Sequence, residues 1–497
     1  MERPKTLIMR NQKISTLIIL FLVSPYLVLF AYFAVTSGFR FDLSSDFHEA
    51  FNFTLLQALT SSLVATIFGI AGSFGLIGIR NFFPHSRRNS IIINLFVLLP
   101  SAVPVLFVIL AALNLAPSLT GFAGIVLLHA LINIGLVAVT FEALLIEKVG
   151  SYLELARVEG ASVRRMIFKI ILPVLKKEIV LIWLSIFTFC FTSFAVPLIF
   201  GGSQATTIEV LIYELIRVDS NWGDASLAAG LQSLFIFVLT FAIVRTESEV
   251  WIRETKLNFL GVKPLSILIF LPSFVMVTGL LVELLPGFSE LFRELPASEL
   301  LWLALNSFII SIGTASFCLF ALVLIALAQP AALARKAILG FLAPSSILTG
   351  FALLIVWRDV GVASLIKICI GLTLLFLPIL YRLGWDAKLR QLRGQIQTAE
   401  TLGASHWLAF KKVAWPQLQP TAAKLSALAA FWAWGDFALS KMVAERTLSI
   451  SLMVQSLMGA YRLSSATALV WLMFFGSALT YFLVWSVVNV ASRKPSH

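Results

Sequence analysis

Apolar residues run in long continuous blocks along this chain, and polar residues gather in shorter stretches between them. The longest blocks are enough to cross a hydrocarbon core of about 30 Å as a helix, which takes about 20 residues. A membrane β-barrel would instead alternate over segments of about ten residues, and these blocks do not alternate. The pattern predicts spans at residues 15–37, 53–79, 90–114, 121–146, 179–201 and 227–245, then 264–285, 301–327, 337–357, 361–384, 421–442 and 467–489. The expected fold is all-α, a polytopic membrane protein of about 12 transmembrane helices in two six-helix halves. The halves are expected at 1–250 and 251–497, joined near the polar linker 245–263.

Two polar stretches are patterned. Residues 154–173 read ELARVEGASVRRMIFKIILP, and residues 397–416 read QTAETLGASHWLAFKKVAWP. Gly160 and Gly403 are 243 positions apart, as are Pro173 and Pro416. Such an offset, about half the chain, implies internal duplication. Pro100 and Pro344 keep nearly the same spacing. Within each copy, apolar and basic residues alternate at helical spacing, glycine permits a bend, and proline ends the pattern. The expected structure is a short helix, a turn and a second short helix, near 150–173 and near 393–416. A plain interfacial helix on anionic lipid would also be amphipathic and basic, but it would need no matched Gly-Ala-Ser in both halves.

Composition agrees with the pattern: 59% hydrophobic residues, 12% charged and a mean hydropathy of +0.96. Soluble domains carry about twice that charged share. The formal net charge of +12 follows from topology and does not call for nucleic acid. With the first span running outward, 29 of the 37 Lys and Arg fall in the loops and tails on the starting side, and seven fall opposite. By the positive-inside rule, both termini and both repeated stretches are expected in the cytoplasm. The basic amino terminus is expected to lead into a retained first span and not a removed signal peptide. Both halves then point the same way, a parallel repeat that frames a path between them. Acidic residues gather in the outer loops, at Asp42, Asp46 and Glu49 and at Glu283, Glu290, Glu294 and Glu299.

The pattern Glu-x-Ala-x3-Gly-Ala-Ser, followed by an apolar and basic run ending in Leu-Pro, resembles the EAA motif of binding-protein-dependent ABC importer permeases. In that family the motif forms a coupling helix seated in a cleft of the ATPase subunit. The resemblance implies coupling roles for Glu154, Ala156, Gly160, Ala161 and Ser162. In the second copy it implies the same for Gln397, Ala399, Gly403, Ala404 and Ser405, with Gln397 standing where the family has an acid and Glu400 lying three residues later. The segments GGSQATTIEVLIYELI (201–216) and WGDFALSKMVAERTLSISLMVQSLMGAYRL (434–463) are similar to fused permeases of the thiamine and ferric-iron branch. The resemblance implies two copies of a cytoplasmic ABC ATPase, a periplasmic solute-binding protein and an inner-membrane location, with thiamine favoured over ferric iron as solute. The main alternative is a secondary transporter of the major-facilitator kind, which also has six-plus-six parallel halves.

The sequence holds no phosphate loop ending in Gly-Lys-Ser or Gly-Lys-Thr, a motif that would cradle ATP, so ATP and Mg²⁺ are expected on the partner ATPase and no cofactor on this chain. The five histidines are scattered and suggest no metal site. Cys190, Cys318 and Cys369 lie in apolar blocks and read as packing residues. No enzyme chemistry is expected of the chain itself. Within spans, Asp436 lies between Trp432 and Trp434 and the following apolar run. A carboxylate beside aromatic rings would suit an organic cation, although the same residue beside Gly435 would also suit a helix break or a gate. Asn133, with His129, is a second candidate for the substrate path, or for bonds between helices. Glu142 and Lys367 read as structural.

Overall fold

The computed structural model describes residues 3–37, 44–82, 87–202, 205–244, 260–330, 334–335, 338–339, 345–358 and 362–490. Asp42, Pro344 and most of the 245–263 linker lie outside the described residues. The chain is an all-α polytopic membrane protein. Its helices are α1 (Arg3–Ser37), α2 (Ser45–Phe82), α3 (Arg87–Ala102), α4 (Val105–Leu115), α5 (Gly121–Leu144), α6 (Gly150–Val158), α7 (Val163–Met166), α8 (Leu172–Phe191), α9 (Ala195–Phe200), α10 (Ile208–Arg217) and α11 (Trp222–Val244). Beyond the linker come α12 (Ile267–Val282), α13 (Leu284–Glu294), α14 (Ala297–Ala328), α15 (Ser346–Val356), α16 (Ser364–Leu380), α17 (Asp386–Thr401), α18 (His406–Ala409), α19 (Trp415–Trp434), α20 (Ala438–Val443), α21 (Ile450–Gly459) and α22 (Leu463–Val490).

Among the described residues, eight helices are long and apolar enough to cross a membrane by themselves, and a ninth span forms if the bent pair 88–115 is counted as one. The other expected spans exist as shorter or more polar helices. Lys176, Lys177 and Glu178 dilute α8, Gln417, Gln419 and Lys424 dilute α19, and α15 has 11 residues. The expected span 90–114 bends by 85° between α3 and α4. Pro104 stands at that break, where a ring without an N–H ends the helical ladder. The expected spans 179–201 and 421–442 also break, at Thr192–Phe194 and at Gly435–Phe437. Each break is followed by a short helix, α9 or α20, and then by α10 or α21.

The break at Gly435 is a contact point between the two parts of the chain. A β-carbon there would lie 2.0 Å from Pro104 Cβ, so only glycine allows the two helix breaks to meet. The first helices cross over: α12 packs on α2, α3, α4 and α5, while α1 packs on α14 and α15 as well as on α11. Ion pairs join segments that the span order places at one end of the bundle. Arg80 meets Glu142 at 2.7 Å, and Lys148 meets Glu178, both at the end carrying the repeated turns. At the opposite end Arg462 lies 3.5 Å from Glu294, and Ser464 donates to Glu283 at 2.8 Å. The three cysteines are buried and free.

Candidate functional site: two matched turns and a central aromatic pair

The repeated stretches fold into the same backbone device. In the first, α6 ends at Glu159, and Gly160 adopts φ +75°. The Gly160 amide donates to Arg157 O (3.0 Å) and the Ala161 amide to Ala156 O (2.9 Å). This pair of bonds is the Schellman ending, which needs a left-handed residue where glycine has no β-carbon penalty. Ser162 then caps α7, its Oγ accepting from Arg165 N at 3.4 Å. In the second, Gly403 has φ +93°, and the amides of Gly403 and Ala404 donate to Glu400 O and Ala399 O, both at 3.0 Å. Ser405 caps α18 by accepting from Leu408 N at 3.3 Å. Gly-Ala-Ser is thus a helix stop, a packing residue and a helix start.

The alanines explain the remaining spacing. Ala156 and Ala161 face a cluster that includes Leu153, Met166 and Ile171, while Ala399 and Ala404 face Leu392, Ile396 and Phe410. Larger side chains at these positions would lift each turn off its own bundle. The outward side is apolar in both copies: Leu155 is 62% exposed and Val158 82%, and Leu402 is 83% and Trp407 58%. Large exposed apolar side chains clustered at a turn mark a surface made to be covered. Glu154 and Gln397 are both exposed beside that side.

The two turns differ in how they are held. His406 is buried, and its Nδ1 lies 2.6 Å from Glu400 Oε1 while Nε2 lies 2.8 Å from Leu327 O. Both ring nitrogens face oxygen atoms, and an imidazole N–H satisfies one of them in either tautomer. The acid displaced in the second copy is therefore engaged inside the turn, tied through His406 to the end of α14. The equivalent positions of the first copy are Arg157 and Val163, which cannot form such a bridge.

The candidate path residues are not assembled as the sequence suggested. The Asp436 carboxylate accepts from Leu439 N (3.4 Å), Ser440 N (2.9 Å) and Ser440 Oγ (2.8 Å). Its oxygens thus accept from the first turn of α20. Trp432 donates from Nε1 to Ala102 O at 3.1 Å, and the Trp434 ring lies over Gly476. Asn133 donates to His129 O within its own helix. The residues that meet centrally are Phe194 and Phe437, again 243 positions apart. Their rings stack with centroids 5.8 Å apart and planes at 18°, and both are buried. The repeat spacing carried this signal, since both follow the breaks after Thr192 and Gly435, but neither residue carries a charge that draws attention in an apolar block.

This arrangement can be set beside known proteins. Residues 74–246 match the family described as binding-protein-dependent transport system inner membrane component. The match covers the first turn and its flanking helices. The chain is 26% identical over 400 residues to the thiamine transport system permease protein ThiP of Escherichia coli (strain K12), covering 74% of this chain and 73% of that one. It is 27% identical over 231 residues to ThiP of Brucella suis biovar 1 (strain 1330), and 30% identical over 146 residues to ThiP of Haemophilus influenzae. The aligned part spans 41% of the Brucella protein's length. No solved structure matches the chain. The chain resembles an ABC importer permease of the thiamine branch.

Proposed function

We propose that this chain is the membrane subunit of an ATP-binding-cassette importer, built as two permease halves at 1–250 and 251–497, with both termini and both matched turns in the cytoplasm. The observation that carries the reading is the pair of Gly-Ala-Ser turns, each presenting exposed apolar side chains from a bundle that has no phosphate loop of its own. Two copies of a separate ATPase would cover Leu155, Val158, Leu402 and Trp407 and move the turns when ATP closes them. A periplasmic binding protein would deliver the solute to the opposite end. The stacked Phe194 and Phe437 would close the path between the halves, and their separation would open it. The thiamine permeases among the relatives favour thiamine as the solute, with ferric iron next.

The deciding experiment is transport in vesicles containing this chain, its ATPase and its binding protein, loaded with ATP and offered labelled thiamine or ferric iron. ATP-dependent thiamine uptake is the expected result. Uptake driven by a proton gradient without the ATPase would instead establish the major-facilitator alternative.

A further inference from the structure

At the end of the bundle that carries the turns, a cavity of about 40 Å³ opens beside α17. Its polar lining is Gln329, Arg335, Tyr381, Asp386, Arg390 and Arg393. Three guanidinium groups thus share this lining with one carboxylate. Asp386 lies 3.1 Å from Arg390 Nε and 3.8 Å from Arg335 Nε, and it accepts from the Tyr381 hydroxyl at 3.1 Å. Arg393 has no ion pair among the described residues. Taking all three arginines as charged, the lining carries two positive charges in excess. Its buried acid holds Arg335 and Arg390 in place without neutralising the site.

The first half has nothing comparable. The positions 243 earlier than Tyr381, Asp386, Arg390 and Arg393 are Ala138, Ala143, Glu147 and Gly150. There, Arg80 and Lys148 are closed into pairs with Glu142 and Glu178. Structural ion pairing alone accounts for that half, and it leaves the surplus in the second half unexplained.

We propose that Arg335, Arg390 and Arg393 bind a phosphate group, with Gln329 as a further donor. Arginine forks match the oxygens of phosphate in pairs, and basic pockets among helices at a membrane surface take lipid headgroups. The group belongs either to an anionic phospholipid or to a small soluble phosphate compound. Either source places the anion on the first turns of α17, the helix that runs into Gly403. It ties that helix to Gln329, the residue that ends α14. The proposal does not depend on what the protein transports.

The test uses the full chain in nanodiscs, as wild type, as Arg393→Gln and as Arg390→Gln/Arg393→Gln, each checked for a monodisperse elution profile. In one arm, discs mix phosphatidylglycerol with phosphatidylcholine, and lipid retained after detergent exchange is measured by native mass spectrometry. In the other, discs contain phosphatidylcholine alone, and inorganic pyrophosphate is titrated against thermal unfolding. Retention of phosphatidylglycerol that falls at least fivefold in the double variant identifies the lipid as source. Stabilisation by pyrophosphate whose apparent affinity falls at least tenfold in the same variant identifies a soluble phosphate. Arg393→Gln, which keeps both partners of Asp386, should show part of either loss. If well-folded variants match wild type in both arms, the site does not bind phosphate and the proposal is overturned.

Discussion

The turns at Gly160 and Gly403 share every backbone bond that defines them, yet they are anchored differently. The first rests on its bundle through apolar contacts at Ala156, Ala161 and Met166. The second adds a polar bolt, Glu400 to His406 to Leu327 O. Duplication therefore preserved what the backbone requires and released what side chains add. The lesson is that the ruler records a shape, while the load each copy bears is set by its neighbours. The missing acid at Gln397 and the acid at Glu400 belong to this second level.

Seven substitutions, in four sets, would break or sharpen that comparison. The largest effect is expected at the central pair, where the halves should respond alike. Phe194→Ala and Phe437→Ala should each cost about 3–5 kcal/mol, the range for emptying a buried phenylalanine site, and unfolding of the purified protein would read it. Unequal losses would show that the rings do not share one contact. Next comes the bolt, where the halves should differ. His406→Ala leaves a carboxylate and a carbonyl without their donor, at about 1–3 kcal/mol, whereas Val163→Ala at the matching exposed position should stay within about 0.5 kcal/mol. Equal effects in thermal unfolding would remove the bolt from the argument.

Gly160→Ala and Gly403→Ala should then cost about 1–2 kcal/mol each, because a β-carbon is strained at positive φ. Under the importer reading, both should also lower substrate-stimulated ATP hydrolysis in the reconstituted complex, and unchanged hydrolysis would detach the turns from coupling. The smallest effect is expected at Asp436→Asn. The amide oxygen keeps one acceptor for the cap of α20, so transport should stay within about twofold of wild type, in line with the few tenths of a kcal/mol that cap exchanges among Asn, Asp and Ser cost. A larger loss at unchanged stability would place the Asp436 charge on the solute path.

Much of this was legible in the sequence because hydrophobic blocks and a repeated motif are local signals. The long helices α2, α5, α14 and α22 follow from apolar runs that must satisfy their own backbone in lipid. The Gly-Ala-Ser turns follow from residue types tied to one backbone geometry. Pro104 marks the α3–α4 break locally, and Gly435 with Asp436 hints at the α19–α20 break, whereas no residue type announces the α8–α9 break at Thr192–Phe194. Gly435 beside Asp436 suits a helix break in the sequence, but the reason no larger residue fits there is seen only when Pro104 is found against it.

The sequence by itself determined that the chain is helical, lies in a membrane and repeats itself at 243 positions, since each property is written in composition or in spacing along the chain. Tertiary structure decided what the repeated and charged residues do. Asp436 became a helix cap when its neighbours turned their amides toward it. Glu400 became part of a bolt when α14 ended beside His406. Phe194 and Phe437 became a pair when the two helix breaks came together. For Glu400 and for the two phenylalanines the deciding partner is distant in the chain, so no local pattern of residue types encodes it; the cap at Asp436 uses amides only three and four residues on.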